Sequence, residues 1–203
     1  MTLLSNIEKI ESDRLILRRM NRSDLSYFAA IHADVDVARY IGSGKPRSEA
    51  ETERWFNDIL ASYETSNLGQ LTIIRRSDGA RLGRCGLSDA AVERQCHTGA
   101  PRRGWFFSAH VPAGIDYECV PELGYTLCKE NWGQGYASEA TRCVFEYARE
   151  SLHFDTIMSV IHPDNAASLA VAKKFGVERV DSVEMAGRLF NRYHWPVKPR
   201  RSW

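Results

Sequence analysis

Between Trp132 and Ala137 the chain reads Trp-Gly-Gln-Gly-Tyr-Ala, with an alternating apolar stretch before it and a helical pattern after it. A helix start offers unpaired backbone N–H groups and the positive end of a dipole, so it favours an anion. Glycines such as Gly133 and Gly135 let the backbone approach that anion closely. The spacing therefore predicts a strand, a tight loop and a helix, the setting in which a loop holds phosphate. G-x-G-x-A also serves ordinary tight turns, so the loop alone does not name its ligand. Two competing phosphate sites are disfavoured. No G-x-x-x-x-G-K-[ST] occurs, which excludes a P-loop nucleotidase. No complete G-x-G-x-x-G occurs, and no acidic residue closes a second strand about 20 residues on, as a Rossmann dinucleotide site requires.

Metal and thiol chemistry find less support. The five cysteines, Cys85, Cys96, Cys119, Cys128 and Cys143, include no C-x-x-C. Cys96, His97, His110 and Cys119 share one irregular stretch, but their spacing matches no common zinc pattern, and no metal is expected. Cys128 and Cys143 fall on predicted core elements and read as packing. A formal net charge of +1 gives no global field toward nucleic acid or a membrane surface, and the short tail Lys198-Pro199-Arg200-Arg201 reads as solvated. No apolar run approaches the roughly 20 residues of a membrane helix, and the first residues are charged too early for a signal peptide. An odd cysteine count without a disulfide framework fits a reducing compartment, so a cytoplasmic protein is expected.

The elements that must position the loop can be read in order. Arg14–Arg19 alternates as a first strand. Ser23 is the expected N-cap of a helix carrying Leu25, Phe28, Ala29 and His32 on one face. Ser48 and Glu51 form a capping box before a second helix with Trp55, Ile59 and Tyr63 on its apolar face. Strands at 70–75 and 81–87 flank Ser77-Asp78-Gly79, a hairpin signal. Residues 93–120 then read as a long insertion with two Pro, three Gly, Arg102-Arg103 and the aromatics Trp105, Phe106 and Phe107. These aromatics could line an acceptor pocket, meet another subunit or be buried under the loop. A strand at 122–127, a helix at 136–151, a strand at 156–161, a helix at 165–175 ending at Gly176 and two strands near 179–185 and 189–197 complete the chain. The order is α+β, or mixed α/β, and the length suits one domain over residues 1–203 with the insertion at about 93–120.

Four stretches in this order resemble the GNAT acetyltransferase superfamily, and within it the ribosomal-protein-alanine N-acetyltransferase branch. They are Glu11-Ser-Asp-Arg-Leu-Ile-Leu-Arg, Glu122-Leu-Gly-Tyr-Thr-Leu, Trp132-Gly-Gln-Gly-Tyr-Ala-Ser-Glu-Ala and His162-Pro-Asp-Asn-Ala-Ala-Ser. The resemblance implies a central, mostly antiparallel mixed sheet flanked by helices, in which the strand at 122–127 splays from the next. Acetyl-CoA would lie in that opening as co-substrate. The backbone of Tyr125, Thr126 and Leu127 would pair with its pantetheine arm. Amides of Gln134, Gly135, Tyr136, Ala137 and Ser138 would hold the pyrophosphate, and Asn165 would bond near the thioester end. Many members carry a tyrosine acid four residues before the helix-ending glycine; here that position is Ala172.

Direct transfer to an amine needs a base, a polarised carbonyl and a proton for the leaving thiolate. Glu122, at the mouth of the splay, is the candidate base; it also fits a surface carboxylate at a strand start. Ser168, three residues after Asn165, is the candidate proton donor, although a serine in a first helical turn also caps backbone. Asn165 is equally a natural N-cap after Pro163. The acceptor could be a protein N-terminus or a small-molecule amine, and the assembly a monomer or homodimer. A non-catalytic acyl-CoA-binding module is the competing reading. A nucleic-acid binder using Arg102-Arg103 and the basic tail is a third, and would show steep salt dependence.

Overall fold

The computed structural model describes residues 9–94, 102–114 and 116–197. Strand β1 (Lys9–Glu11) pairs antiparallel with β2 (Leu15–Arg19), whose Leu15 and Leu17 are fully buried. A short 3-10 turn (Arg22–Asp24) leads into α1 (Leu25–Ala33), followed by α2 (Val35–Ala38) and α3 (Glu49–Thr65). Asn21, not Ser23, is the capping side chain here, and it caps the 3-10 turn that leads into α1. The Asn21 side chain accepts from the Ser23 N–H, and the Asp24 carboxylate accepts from the Asn21 N–H. Asp24 is buried as the partner of Arg18 and Arg81, at 2.7 and 2.8 Å, and this long-range pairing fixes where the helix begins. The capping box at Ser48 and Glu51 forms as expected.

Strands β3 (Gly69–Arg75) and β4 (Arg81–Glu93) make the anticipated hairpin. Two short strands, β5 (Arg102–Arg103) and β6 (Phe106–Phe107), fall in the stretch expected to be irregular, and β6 pairs with β4. Strand β7 runs Tyr117–Leu127, so it starts well before Glu122 and pairs with β4 along its whole length. Pro121 marks a strand start when read locally. Here its missing N–H falls on the side away from β4, where no ladder bond is lost. After β7 come α4 (Tyr136–Glu150), β8 (Met158–Ile161), α5 (Ala166–Lys173), β9 (Glu178–Met185) and β10 (Arg188–His194).

The strands form one sheet in the order β1-β2-β3-β4-β7-β8-β10-β9-β5. Pairing is antiparallel except at β7–β8 and β5–β9. This is the α+β arrangement that the sequence implies. Side chains alternate across the sheet. Register sets Arg84 opposite Thr126 and Ser88 opposite Glu122. Those four share a face with Trp55 of α3, since the Arg84 guanidinium lies over the Trp55 ring. Tyr125 takes the other face and reaches α5.

Candidate active site

Strands β7 and β8 pair only at Glu122 and Met158. Beyond that point a side chain replaces the backbone ladder. The Ser159 hydroxyl donates to the Leu123 carbonyl, and the Trp195 indole N–H donates to the Ser159 hydroxyl at 3.0 Å. The two strands are therefore wedged apart. Alternation turns the backbone groups of Leu123, Tyr125 and Leu127 toward the gap and those of Thr126 toward β4. The Trp132 indole N–H bonds the Leu127 carbonyl at 3.0 Å. The Tyr125 N–H and C=O and the Leu127 N–H remain as a strand-like edge.

The glycine loop closes one end of this gap. Gly135, with φ at +82°, caps α4 in the left-handed region and offers no side-chain bond to the helix start. The first-turn amides of α4 are left for an outside acceptor. Gly133 is also left-handed, with φ at +73°. Arg14 braces the loop. It pairs with Glu139 at 2.6 Å, bonds the Gln134 carbonyl at 3.2 Å and lies over the Tyr136 ring. Lys174, at the end of α5, donates to the Ser138 hydroxyl at 2.9 Å. Arg14 and Lys174 thus set two cations beside the helix start.

A cavity of about 430 Å³ runs along this edge. Tyr125, Thr126, Leu127, Gly135, Tyr136, Ala137, Ser138, Asn165 and Ser168 line it. Gln134 does not: its side chain donates to the Glu130 carbonyl at 2.8 Å, leaving only its backbone at the loop. Asn165 caps α5 by accepting the Ser168 N–H at 3.1 Å. Capping and facing the groove thus coincide in one residue, because the helix start itself borders the cavity.

Tyr125, Thr126, Asn165 and Ser168 also line a second cavity of about 220 Å³, which holds Glu122. Glu122 is only 9% exposed. Burial pushes its carboxyl up to about 7; the Arg84 charge and the Val160 backbone N–H offset part of that rise. The Trp105 indole N–H leans toward it without closing a hydrogen bond of ordinary geometry. Trp105 and Phe107 wall this cavity, edge to face at 4.9 Å, and each also packs against buried apolar residues, so wall and burial coincide in them. The Tyr125 hydroxyl donates to Ser168 Oγ at 3.2 Å, and burial pushes that phenol up to about 12. Ala172 is buried on the cavity wall.

Sequence reasoning singled out Glu122, Ser168 and the groove residues, and the fold gathers them at one junction. It missed Arg47 and Arg84, whose guanidinium groups lie within 5.8 and 5.2 Å of the Trp55 ring centre. The available signal was an arginine on the inward face of a strand otherwise rich in small and apolar residues. Arg14 and Lys174 were also missed. Cys85 is buried with its thiol pushed up to about 12 by burial, and Tyr27 donates to Cys128 at 3.6 Å; neither suits a nucleophile. Among the described residues no group of three or more His, Cys, Asp or Glu could hold a metal, and no helix is long and apolar enough to cross a membrane. Cys96, His97 and the basic tail lie outside the described residues, as do the side chains of Arg102 and Arg103.

A parallel strand pair forced open beside a glycine-led helix start is the plan of an acyl-CoA N-acyltransferase. The model of the acetyltransferase (GNAT) domain matches residues 14–178, and the chain belongs to that family. It is an N-acetyltransferase. The uncharacterized N-acetyltransferase YnaD of Bacillus subtilis is 33% identical over 170 residues, 84% of this chain and 82% of that protein. The uncharacterized protein YkkB of the same organism is 28% identical over 83% of this chain and 84% of its own length. Solved structures share the fold. An acetyltransferase from Agrobacterium tumefaciens superposes with a TM-score of 0.67 at 24% identity, covering 96% of this chain and 98% of its own. RimL, the ribosomal L7/L12 α-N-protein acetyltransferase solved with coenzyme A, gives 0.67 at 14% identity, covering 92% and 97%.

Proposed function

We propose that this chain transfers the acetyl group of acetyl-CoA directly to a primary amine within a ternary complex, with Glu122 as base. The observation that carries this reading is the Glu122 carboxyl. It is buried in a chamber that joins the groove, and it is held near 7 rather than at the ordinary 4.5. A base is most effective when its pKa lies close to the working pH.

The groove fits acetyl-CoA by its donors. The uncapped N–H groups after Gly135, with Arg14 and Lys174 beside them, suit a pyrophosphate. The edge at Tyr125 and Leu127 suits the amides of a pantetheine arm. When bound, acetyl-CoA supplies an activated acyl carbon and a good leaving group. The chain supplies the rest. Glu122 takes the proton from the acceptor ammonium. Ser168 donates a proton where the thiolate departs, the Tyr125 hydroxyl, already hydrogen-bonded to Ser168 Oγ, restores it, and the second proton lost by the attacking nitrogen returns through solvent to the phenolate. The Tyr125 phenol then stands in for the tyrosine absent at Ala172, reaching the junction from the sheet instead of the helix.

A thiol-release screen with peptides, polyamines, aminoglycosides and amino acids tests the reading. Acetyl-CoA-dependent thiol release on an amine is expected. Tight acetyl-CoA binding with no release on any acceptor would favour the binding-module alternative.

A further inference from the structure

The inner chamber is set for a negative charge that the chain itself does not provide. Arg47, from the loop before α3, and Arg84, from β4, both line it, and both lie against Trp55. Neither has a carboxylate within salt-bridge distance among the described residues. Arg84 donates from Nη1 to Gln70 Oε1 at 2.8 Å, and Gln70 is fixed in turn by its donation to the Ser88 hydroxyl at 3.0 Å. That chain of bonds orients the guanidinium without pairing its charge, which Glu122 attracts only at longer range. Arg84 Nε and Arg47 Nη1 are buried and donate to nothing. The two cations also repel each other, and Arg47 helps lower the Arg84 pKa. His32, beside them, is held neutral by burial and by these same arginines, so it neither adds to nor offsets their charge. Glu51 attracts Arg47 only at longer range and spends its carboxylate capping α3. Among the described residues Glu122 is the one carboxylate lining the chamber, and the transfer reaction needs it free to accept a proton. Half-buried guanidinium groups with no ion-pair partner and with open N–H donors are a recognition site for an oxyanion.

We infer that the acceptor is a small amine carrying its own anionic group, a carboxylate or a phosphate, which Arg47 and Arg84 bind while its nitrogen faces Glu122. This rests on the acetyl-transfer reading above and adds the substrate class. A chamber of about 220 Å³ walled by Trp105 and Phe107 suits a small molecule. Polyamines and aminoglycosides, being cationic throughout, should be poor acceptors.

The test uses full-length protein and pairs that differ in the anionic group, with kcat/KM expressed per unprotonated amine because the amides are the weaker bases. Glycine, β-alanine and 4-aminobutyrate are compared with their amides, and O-phosphoethanolamine with ethanolamine. For at least one pair, kcat/KM of the anionic member should exceed that of the neutral one by tenfold or more. Which pair responds tells carboxylate from phosphate. R47Q and R84Q, each first shown to bind acetyl-CoA, should bring that ratio to about one, chiefly through KM. A ratio near one for every pair in wild type, or a ratio unchanged in both variants, overturns the inference. Calorimetric titration of the CoA-loaded protein with the N-acetylated acids and amides gives a readout that needs no turnover, and equal binding of both overturns it as well. Failure to bind acetyl-CoA at all would instead overturn the transferase reading, so the two failures are distinct.

Discussion

Replacing Glu122 by Gln keeps the size and planarity of the side chain but removes the proton acceptor. General-base catalysis typically contributes about 10²- to 10⁴-fold, so kcat/KM at pH 8 should fall by that amount. The pH profile is the more specific readout. The acceptor's own ionisation is common to both enzymes and cancels in the ratio of wild type to variant. With the carboxyl near 7, that ratio should be flat above pH 8 and fall about tenfold per unit below pH 7. Stability should move the opposite way. Folding lifts this carboxyl from 4.5 to about 7, so between those pH values the folded state holds a proton that the unfolded chain has released. Stability therefore falls as pH rises through that window, by about 3 kcal/mol at 1.36 kcal/mol per unit. The Gln variant escapes that penalty and should be at least as stable as wild type at pH 8. Stopped-time thiol-release assays and thermal melts across pH 5–9 give both readouts. A ratio near one at pH 8, or one that does not vary with pH, would refute the assignment of Glu122 as base.

Three further perturbations probe separate parts of the molecule. Gly135→Glu puts a side chain on a left-handed residue whose Cβ would meet Arg14 Nη2 at 3.4 Å, and sets an anion where the pyrophosphate should sit; calorimetry should detect no acetyl-CoA binding, and normal binding would show that the groove is misplaced. Tyr125→Phe and Ser168→Ala should each lower kcat more than they raise KM, and the double variant should be no slower than the worse single one if the hydroxyls act in series; additive losses would break the relay. For Asp24, burial alone would raise the carboxyl, but bonds from Arg18, the Asn21 N–H and Arg81 outweigh it and hold it at about 2. Asp24→Asn should cost about 3 kcal/mol at pH 7 in denaturant melts, by leaving two guanidinium groups without their partner. The gap between wild type and variant should shrink by about 2 kcal/mol as pH falls from about 4 to 2, where the depressed carboxyl takes up its proton.

Local chemistry made much of the fold readable. The Ser48–Glu51 box, the Asp78-Gly79 turn and the pattern behind Gly135 each satisfy their own backbone demands within a few residues, so they show in sequence. Two features did not. The start of β7 was hidden because Pro121 reads as a break unless β4 is known to lie on its bonded side. The cap of the turn leading into α1 was misplaced because Asp24 answers to Arg81, far along the chain, rather than to its neighbours.

The sequence by itself determined the family, the order of elements and the glycine-led helix start after Gly135, since these depend on spacing and backbone conformation. The tertiary structure decided what surrounds the reacting groups. A carboxylate is worth pKa 4.5 or 7 according to what buries it, and Glu122 owes its value to a chamber built by β4, β7, β8 and Trp105. Arg47 and Arg84 lack an ion-pair partner only because separate elements bring both against Trp55 with no carboxylate within salt-bridge distance among the described residues. Burial and charge balance are sums over neighbours in space, and for these residues the neighbours come from distant parts of the chain.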